Sequence, residues 1–335
     1  MILPRSDLCL KALGCALAFT GAVGGAAFAQ TFETVRFSYS LGREALPALA
    51  AIEAGFFFRE GLNVSALPVV SIPTTIESLK TGATDFATVP ARGLILIGQS
   101  RLPVRIVALS GEGLSAEILV TTSQTRVQSL NDLKGKAIGM DLESEAYPHF
   151  LRYLAISRMD YSWFRILHVD HAELEEAFKR RRVEAAVVPR HISQGLVEGR
   201  IARRLVSHEE FSNVTKGVNP SALVVRKHMM DTRPQVVERF VRAWTQALFF
   251  STKNVVQASH LLRLFYERQG VSVPVDMVRA YVNLARYDRC AWTEGDSLDV
   301  EYSALVLKHA GIIPEAPSIA GMVDNRFVRR VAPQC

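Results

Sequence analysis

Hydrophobic and polar positions along this chain change period in a repeating order. Residues 35–40 (Val-Arg-Phe-Ser-Tyr-Ser) alternate as a half-buried strand does, and a short loop then enters a helix containing Pro47 and Ile52. Gly55 is placed to stop that helix, because glycine accepts the left-handed backbone at a helix end. Residues 64–70 predict a second strand. Thr74 with Glu77 predicts a capping box for a short helix ending by Gly82, and residues 85–89 a buried strand stopping at Pro90. Strands separated by helices predict an α/β fold with a largely parallel sheet.

The same order returns further along. Residues 136–140 read as a strand, followed by Asp141-Leu142-Glu143-Ser144-Glu145-Ala146-Tyr147-Pro148. That run parallels Ser40-Leu41-Gly42-Arg43-Glu44-Ala45-Leu46-Pro47. Glu77, Lys80, Val89 and Pro90 recur as Glu176, Lys179, Val188 and Pro189, and Asp170 with Glu173 predicts another capping box. Shared ancestry and shared strand–loop–helix grammar lead to one physical expectation, two similar α/β lobes. Two apolar strands, 118–121 and 222–225, are the expected hinge pair. Beyond Asp231 the chain turns helical, with Val236, Val237, Phe240, Val241, Trp244 and Leu248 on one stripe behind Pro234. Further helices are expected over 254–268, 275–287 and 298–310, packed on the first lobe.

Composition narrows the class. The 335 residues are 49% hydrophobic and 21% charged, which gives ample length for two cores and excludes a disordered chain. The N-terminus reads as a signal peptide over 1–29. Arg5 and Lys11 precede an apolar run, and Ala27-Phe28-Ala29 offers a cleavage site before Gln30. The formal charge of +6 is spread along the chain, apart from Lys179-Arg180-Arg181-Arg182. That run ends an amphipathic helix, where cations complement the negative pole, and no aromatic residues interleave with it. Nucleic acid is not an expected partner. Cys290 and Cys335 remain after the leader and are either one disulfide or two free thiols.

Three segments carry a family likeness. They are the run from Ala54 through Gly55-Phe56-Phe57-Phe58-Arg59-Glu60-Gly61-Leu62 to Val64, then Asp132-Leu133-Lys134-Gly135-Lys136-Ala137-Ile138-Gly139, then Val183-Glu184-Ala185-Ala186-Val187-Val188-Pro189. On these the chain resembles the nitrate/sulfonate/taurine substrate-binding proteins of ABC transporters, a group that includes binders of thiamine-pyrimidine precursors. The resemblance implies a type II periplasmic-binding-protein fold with two lobes joined by a hinge. Lobe I is expected over 31–119 and 225–335, and lobe II over 120–224. It further implies a periplasmic or extracellular monomer that passes a small molecule to an ABC permease and its ATPase, touching the membrane only through that permease. No cofactor is expected. A sensing module for a membrane receptor and a thiamine-pyrimidine synthase-like enzyme are the alternatives. The enzyme is disfavoured by export and by the lack of a Cys cluster.

In open α/β sheets ligands sit beyond the carboxyl ends of the strands, where helix N-termini favour negative charge. Position therefore nominates Gly42, Arg43, Ser71, Thr74, Arg92, Ser110 and Glu112 on lobe I. Glu143, Ser144, Arg190 and His191 are nominated on lobe II, with Asn219 near the return crossing. Arg43, Arg92 and Arg190 suit a forked grip on a carboxylate or sulfonate, unless each faces solvent or a neighbouring Glu. Glu44, Glu143 and Glu145 complement helix starts, take the anion's place themselves, or select a ligand amine. His168, Asp170, His171 and Glu173 are expected to diverge, with Asp170 capping a helix, so no metal is expected. Gly111-Glu112-Gly113 is too short for a dinucleotide fingerprint, and no Gly-x-Ser-x-Gly elbow exists.

Overall fold

The alternating run at the start becomes β1 (Glu33–Ser40). Val35, Phe37 and Tyr39 point into a core closed by α10 (Pro234–Lys253), while Arg36 sits on the opposite side, ion-paired with Asp85 at 2.7 Å. The α10 stripe is buried as its spacing requires, with Phe240 stacked on Phe86 at 3.9 Å. Trp244 donates its Nε1–H to the Leu109 carbonyl at 3.0 Å. Each such fully buried side chain contributes about 1.5–3 kcal/mol of transfer free energy. The computed structural model describes residues 32–335 apart from 42–43, 70, 114–115, 269–274, 276–277, 280–281 and 283–284 and the His191 side chain. The expected leader over 1–29 lies outside the described residues, as do six of the thirteen positions of the helix expected over 275–287.

The first sheet takes β1, β2 (Leu62–Val69), β3 (Phe86–Pro90), β4 (Val104–Gly111) and β10 (Ser221–Arg226), in the order β2-β1-β3-β10-β4. The second takes β5 (Ala116–Thr121), β6 (Ala137–Met140), β7 (Arg165–His168), β8 (Ala185–Pro189) and β9 (Ala202–Val206), in the order β7-β6-β8-β5-β9. The two orders are the same. In each, the fourth strand runs antiparallel to both neighbours and is the strand the chain forms on arriving from the other sheet. The repeat read in the sequence is thus a repeat of topology.

Helices connect the strands: α1 (Ala45–Glu53), α2 (Phe56–Arg59), α3 (Ile72–Thr81) and α4 (Ala91–Ser100) in the first half, α5 (Ala146–Ile156), α6 (Leu174–Lys179) and α7 (Arg190–Glu198) in the second, with α9 (Lys227–Thr232) following β10. Gly82 ends α3 at φ 78°, a left-handed backbone open to glycine without strain. The cap of α3 lies three residues earlier than expected. Ser71 Oγ accepts the Thr74 N–H at 3.3 Å, because Pro73 fits the first turn, where no N–H partner is needed. Asp170 also departs from its expected role. It makes no side-chain cap; its carboxylate turns to His168 Nε2 at 3.4 Å, and α6 begins only at Leu174.

The crossings between sheets fall where β4 gives way to β5 and where α8 (His208–Thr215) gives way to β10. The boundaries expected at 119/120 and 224/225 therefore cut β5 and β10, which are ladder strands of the second and first sheet. The crossing segments bond to one another: Gly113 N–H donates to Val218 O at 2.8 Å, and Asn219 Nδ2 donates to Gly113 O at 3.4 Å. The C-terminal helices also differ from expectation. α11 (Val255–Arg268) packs on α1, but α12 (Glu294–His309) lies against both α4 and α5. One apolar core cluster runs through it, from Leu94 and Ile106 to Phe150 and Phe211, so the halves share a continuous interior.

Cys290 and Cys335 are disulfide-bonded, with Cα atoms 5.5 Å apart, which ties the last residue to the first sheet's core. The basic run ends α6 as a solvated helix end, with Lys179 paired to Glu175, Arg180 to Glu176 and Arg182 to Glu173. Among the described residues no helix is long and apolar enough to cross a membrane.

Candidate functional site

The carboxyl ends of the two sheets meet. On the first wall β3 ends at Pro90 and opens directly into α4, placing Arg92 in that helix's first turn. On the second wall Glu145 sits at the N-cap of α5, just beyond β6. The Arg92 backbone N–H donates to Glu145 Oε1 at 3.0 Å, a bond between residues 53 apart in sequence and on opposite walls. The Arg92 guanidinium carbon lies 6.0 Å from the Tyr147 ring centroid, near the limit for a cation–π contact. Its Nη1 is buried with no hydrogen-bond partner among the described residues. Tyr147 is itself buried, which raises its hydroxyl pKa, and the nearby Arg92 opposes that rise.

Helix N-termini carry free N–H groups and a partial positive charge, so a carboxylate is the natural occupant of this corner. The equivalent acid of the first half is Glu44, at the N-cap of α1. It is 3% exposed and accepts the Ser221 hydroxyl proton. Ser221 is the ladder partner of Pro90, two residues before Arg92. Two acids at matching positions of the repeat therefore lead to the same corner of the first sheet, one from each wall.

The nominated residues divide. Gly42 and Arg43 lie outside the described residues. Arg92 stands at the meeting of the walls. Ser110, at the end of β4, is fully buried, and its hydroxyl has no hydrogen-bond partner among the described residues. Ser71 and Thr74 bond to one another at 2.7 Å as the cap of α3. Ser144 Oγ donates to the Asp141 carbonyl at 2.7 Å, and the Glu143 N–H donates to Asp141 Oδ1 at 2.8 Å, which fits both to the turn before α5. Glu143 is exposed. Arg190 opens α7 and reaches Glu209 at 3.6 Å, with both side chains in solvent. His191 follows it on α7, in the position that Arg92 holds on α4.

Two further nominations, Glu112 and Asn219, are buried with partners of the chain's own. Glu112 is buried under ion pairs, facing Arg289 and also Arg286 at 3.3 Å, while Arg289 holds Asp296 at 2.8 Å. Those carboxylates hold the Arg289 pKa well above its ordinary value. Each oxygen of Glu112 thus faces an arginine, so its charge is compensated within the fold. Asn219 is buried in the return crossing at φ 45°, donating its N–H to Asp299 Oδ2 at 2.9 Å, so it braces the crossing.

His168 and Asp170 do not diverge as expected. β6 and β7 pair Met140 with His168, which puts Asp141 and His168 at adjacent strand ends. Ligand atoms of Asp141, His168 and Asp170 lie within 4.8 Å of one another. His168 Nδ1 accepts the Leu142 N–H at 3.2 Å, which leaves Nε2 protonated and facing Asp170. The trio is consistent with a hydrogen-bonded surface cluster.

Two equally ordered α/β halves, joined by two crossings and meeting at their strand ends, define the architecture of two-lobed binding proteins. The chain belongs to the NMT1/THI5-like family, whose model matches residues 43–258. A Brucella abortus protein named as a binding protein is 25% identical over 225 residues, covering 64% of this chain, and the chain spans 66% of that relative's length. A Bacillus subtilis protein named for aliphatic-sulfonate binding is 24% identical over 221 residues, covering 64% of this chain and 65% of its own. Among solved structures, the periplasmic aliphatic sulphonate binding protein SsuA of Escherichia coli superposes with a TM-score of 0.73 at 14% identity, covering 88% of this chain and 92% of its own. The nitrate-binding protein NrtA of Synechocystis PCC 6803 superposes at 0.68 with 15% identity, covering 90% and 89%. At these identities the structures establish the fold, a periplasmic-binding-protein fold.

Proposed function

We propose that this chain is the extracytoplasmic solute-binding component of an ABC importer. It captures a small polar or anionic molecule (a sulfonate, carboxylate or pyrimidine-like compound) between its two walls and delivers it unaltered to a membrane permease, whose ATPase drives uptake. The observation that carries this reading is the meeting of Arg92 with Glu145, since it brings the strand ends of both sheets to one place. A ligand touching both walls favours the closed form by its differential affinity for it, and the permease needs only to distinguish closed from open. The periplasmic sulfonate- and nitrate-binding structures with the same fold support the assignment and the location outside the cytoplasm.

Arg92 is the cation best placed to meet a ligand's anionic group, because its buried Nη1 lacks a partner among the described residues. A thermal-shift screen against alkanesulfonates, carboxylates, nitrate and pyrimidines tests the reading. A binder at 100 times its Kd adds about 2.7 kcal/mol of stability. Arg92→Ala is expected to abolish most of that gain. A screen in which no small molecule raises Tm removes the delivery role.

A further inference from the structure

We propose that Glu145 is a built-in stand-in for the ligand's anionic group: its carboxylate joins the two walls by binding the start of α4, and an anionic ligand must displace it. This rests on reading the facing strand ends as the ligand site, and concerns which of the chain's own groups guards that site. The first N–H groups of α4 have no partner within the helix and carry partial positive charge, so they call for an acceptor and an anion. Glu145 answers both needs from the far wall, through the 3.0 Å bond to the Arg92 N–H. Its counterpart Glu44 bonds to Ser221 of the first sheet, whereas the Glu145 bond to the Arg92 N–H joins the two walls.

The consequence is competition at one donor. A ligand anion that binds the Arg92 corner gains that N–H only as Glu145 gives it up, so its net gain is the difference between two anions at one seat. Neutral solutes, with no charge to set against the carboxylate, are disfavoured there. Tyr147 lies two residues beyond Glu145 and beside the Arg92 guanidinium, so the released acid leaves an aromatic wall behind.

Two measurements on the purified protein test this, using wild type, Glu145→Gln and Glu145→Ala. Small-angle X-ray scattering without ligand is expected to show a larger radius of gyration for Glu145→Ala than for wild type, because the cross-wall bond is gone. Calorimetric titration with ethanesulfonate is expected to give about tenfold tighter binding to both variants than to wild type. An unchanged radius of gyration in Glu145→Ala, or ethanesulfonate binding that is equal or weaker in both variants, overturns the proposal. If ethanesulfonate binds none of the three proteins, the anionic-ligand reading fails, and the scattering comparison alone decides whether Glu145 holds the cleft shut.

Discussion

Asp299 on α12 is ion-paired with Arg152 on α5, and its second oxygen accepts the Asn219 N–H at 2.9 Å. One carboxylate thus holds a C-terminal helix, the cover of the second sheet and the return crossing. The Arg152 and Asp299 side chains are 12% and 8% exposed. Removing one partner of such a pair leaves the other charge buried, so Asp299→Ala is expected to cost about 3–5 kcal/mol. Urea unfolding checks it. A loss within experimental error would mean that the crossing is braced elsewhere.

Glu112 offers the converse test. Its carboxylate is engaged by Arg286 and Arg289. Glu112→Gln is expected to lower Tm through the weakened ion pairs while leaving ligand affinity within about twofold, a change worth less than 1 kcal/mol. A large fall in affinity with Tm unchanged would return Glu112 to the binding wall.

The bond between Cys290 and Cys335 closes a loop of 45 residues in sequence separation. Cross-links of this kind stabilise by about 2–4 kcal/mol, chiefly by restricting the unfolded chain. Cys335→Ser is expected to lower Tm under non-reducing conditions and to abolish the sensitivity of wild type to dithiothreitol. Equal melting of the oxidised and reduced protein would contradict this.

Acid should weaken the fold before its carboxylates protonate. Burial holds the pKa values of His171 and His208 below their ordinary 6.5, more strongly than the nearby acids raise them. The unfolded chain therefore binds more protons than the folded one as pH falls below 6.5, and stability drops over that interval. Melting curves at pH 7.5 and 5.5 are expected to show this loss in wild type and a smaller one in His171→Gln/His208→Gln. Equal losses in the two proteins would assign the acid sensitivity to other groups.

Arg190→Ala is expected to reduce ligand-induced stabilisation less than Arg92→Ala, since the Arg190 guanidinium faces Glu209 in solvent. A thermal-shift comparison with one ligand ranks the two, and the reverse order would place Arg190 inside the cleft.

The amino-acid sequence by itself determined the two-fold repeat, the strands β1, β2, β3, β5, β6 and β10, the stops at Gly55 and Gly82, and the α10 stripe. These follow from spacings of two to four residues, which backbone geometry converts directly into faces. Even there, the Thr74 cap was misplaced, because Ser71 with Pro73 competes for the same turn. The sequence marked Glu44 and Glu145 as helix-start acids at matching positions, but not that Glu145 takes the Arg92 N–H of the facing wall. Only the tertiary structure decided that, and likewise that Glu112 is neutralised by Arg289 and that Asp299 reaches Arg152. These pairs lie 53, 177 and 147 residues apart in sequence. Their meeting depends on how two crossings fold one half of the chain against the other, which no local period encodes.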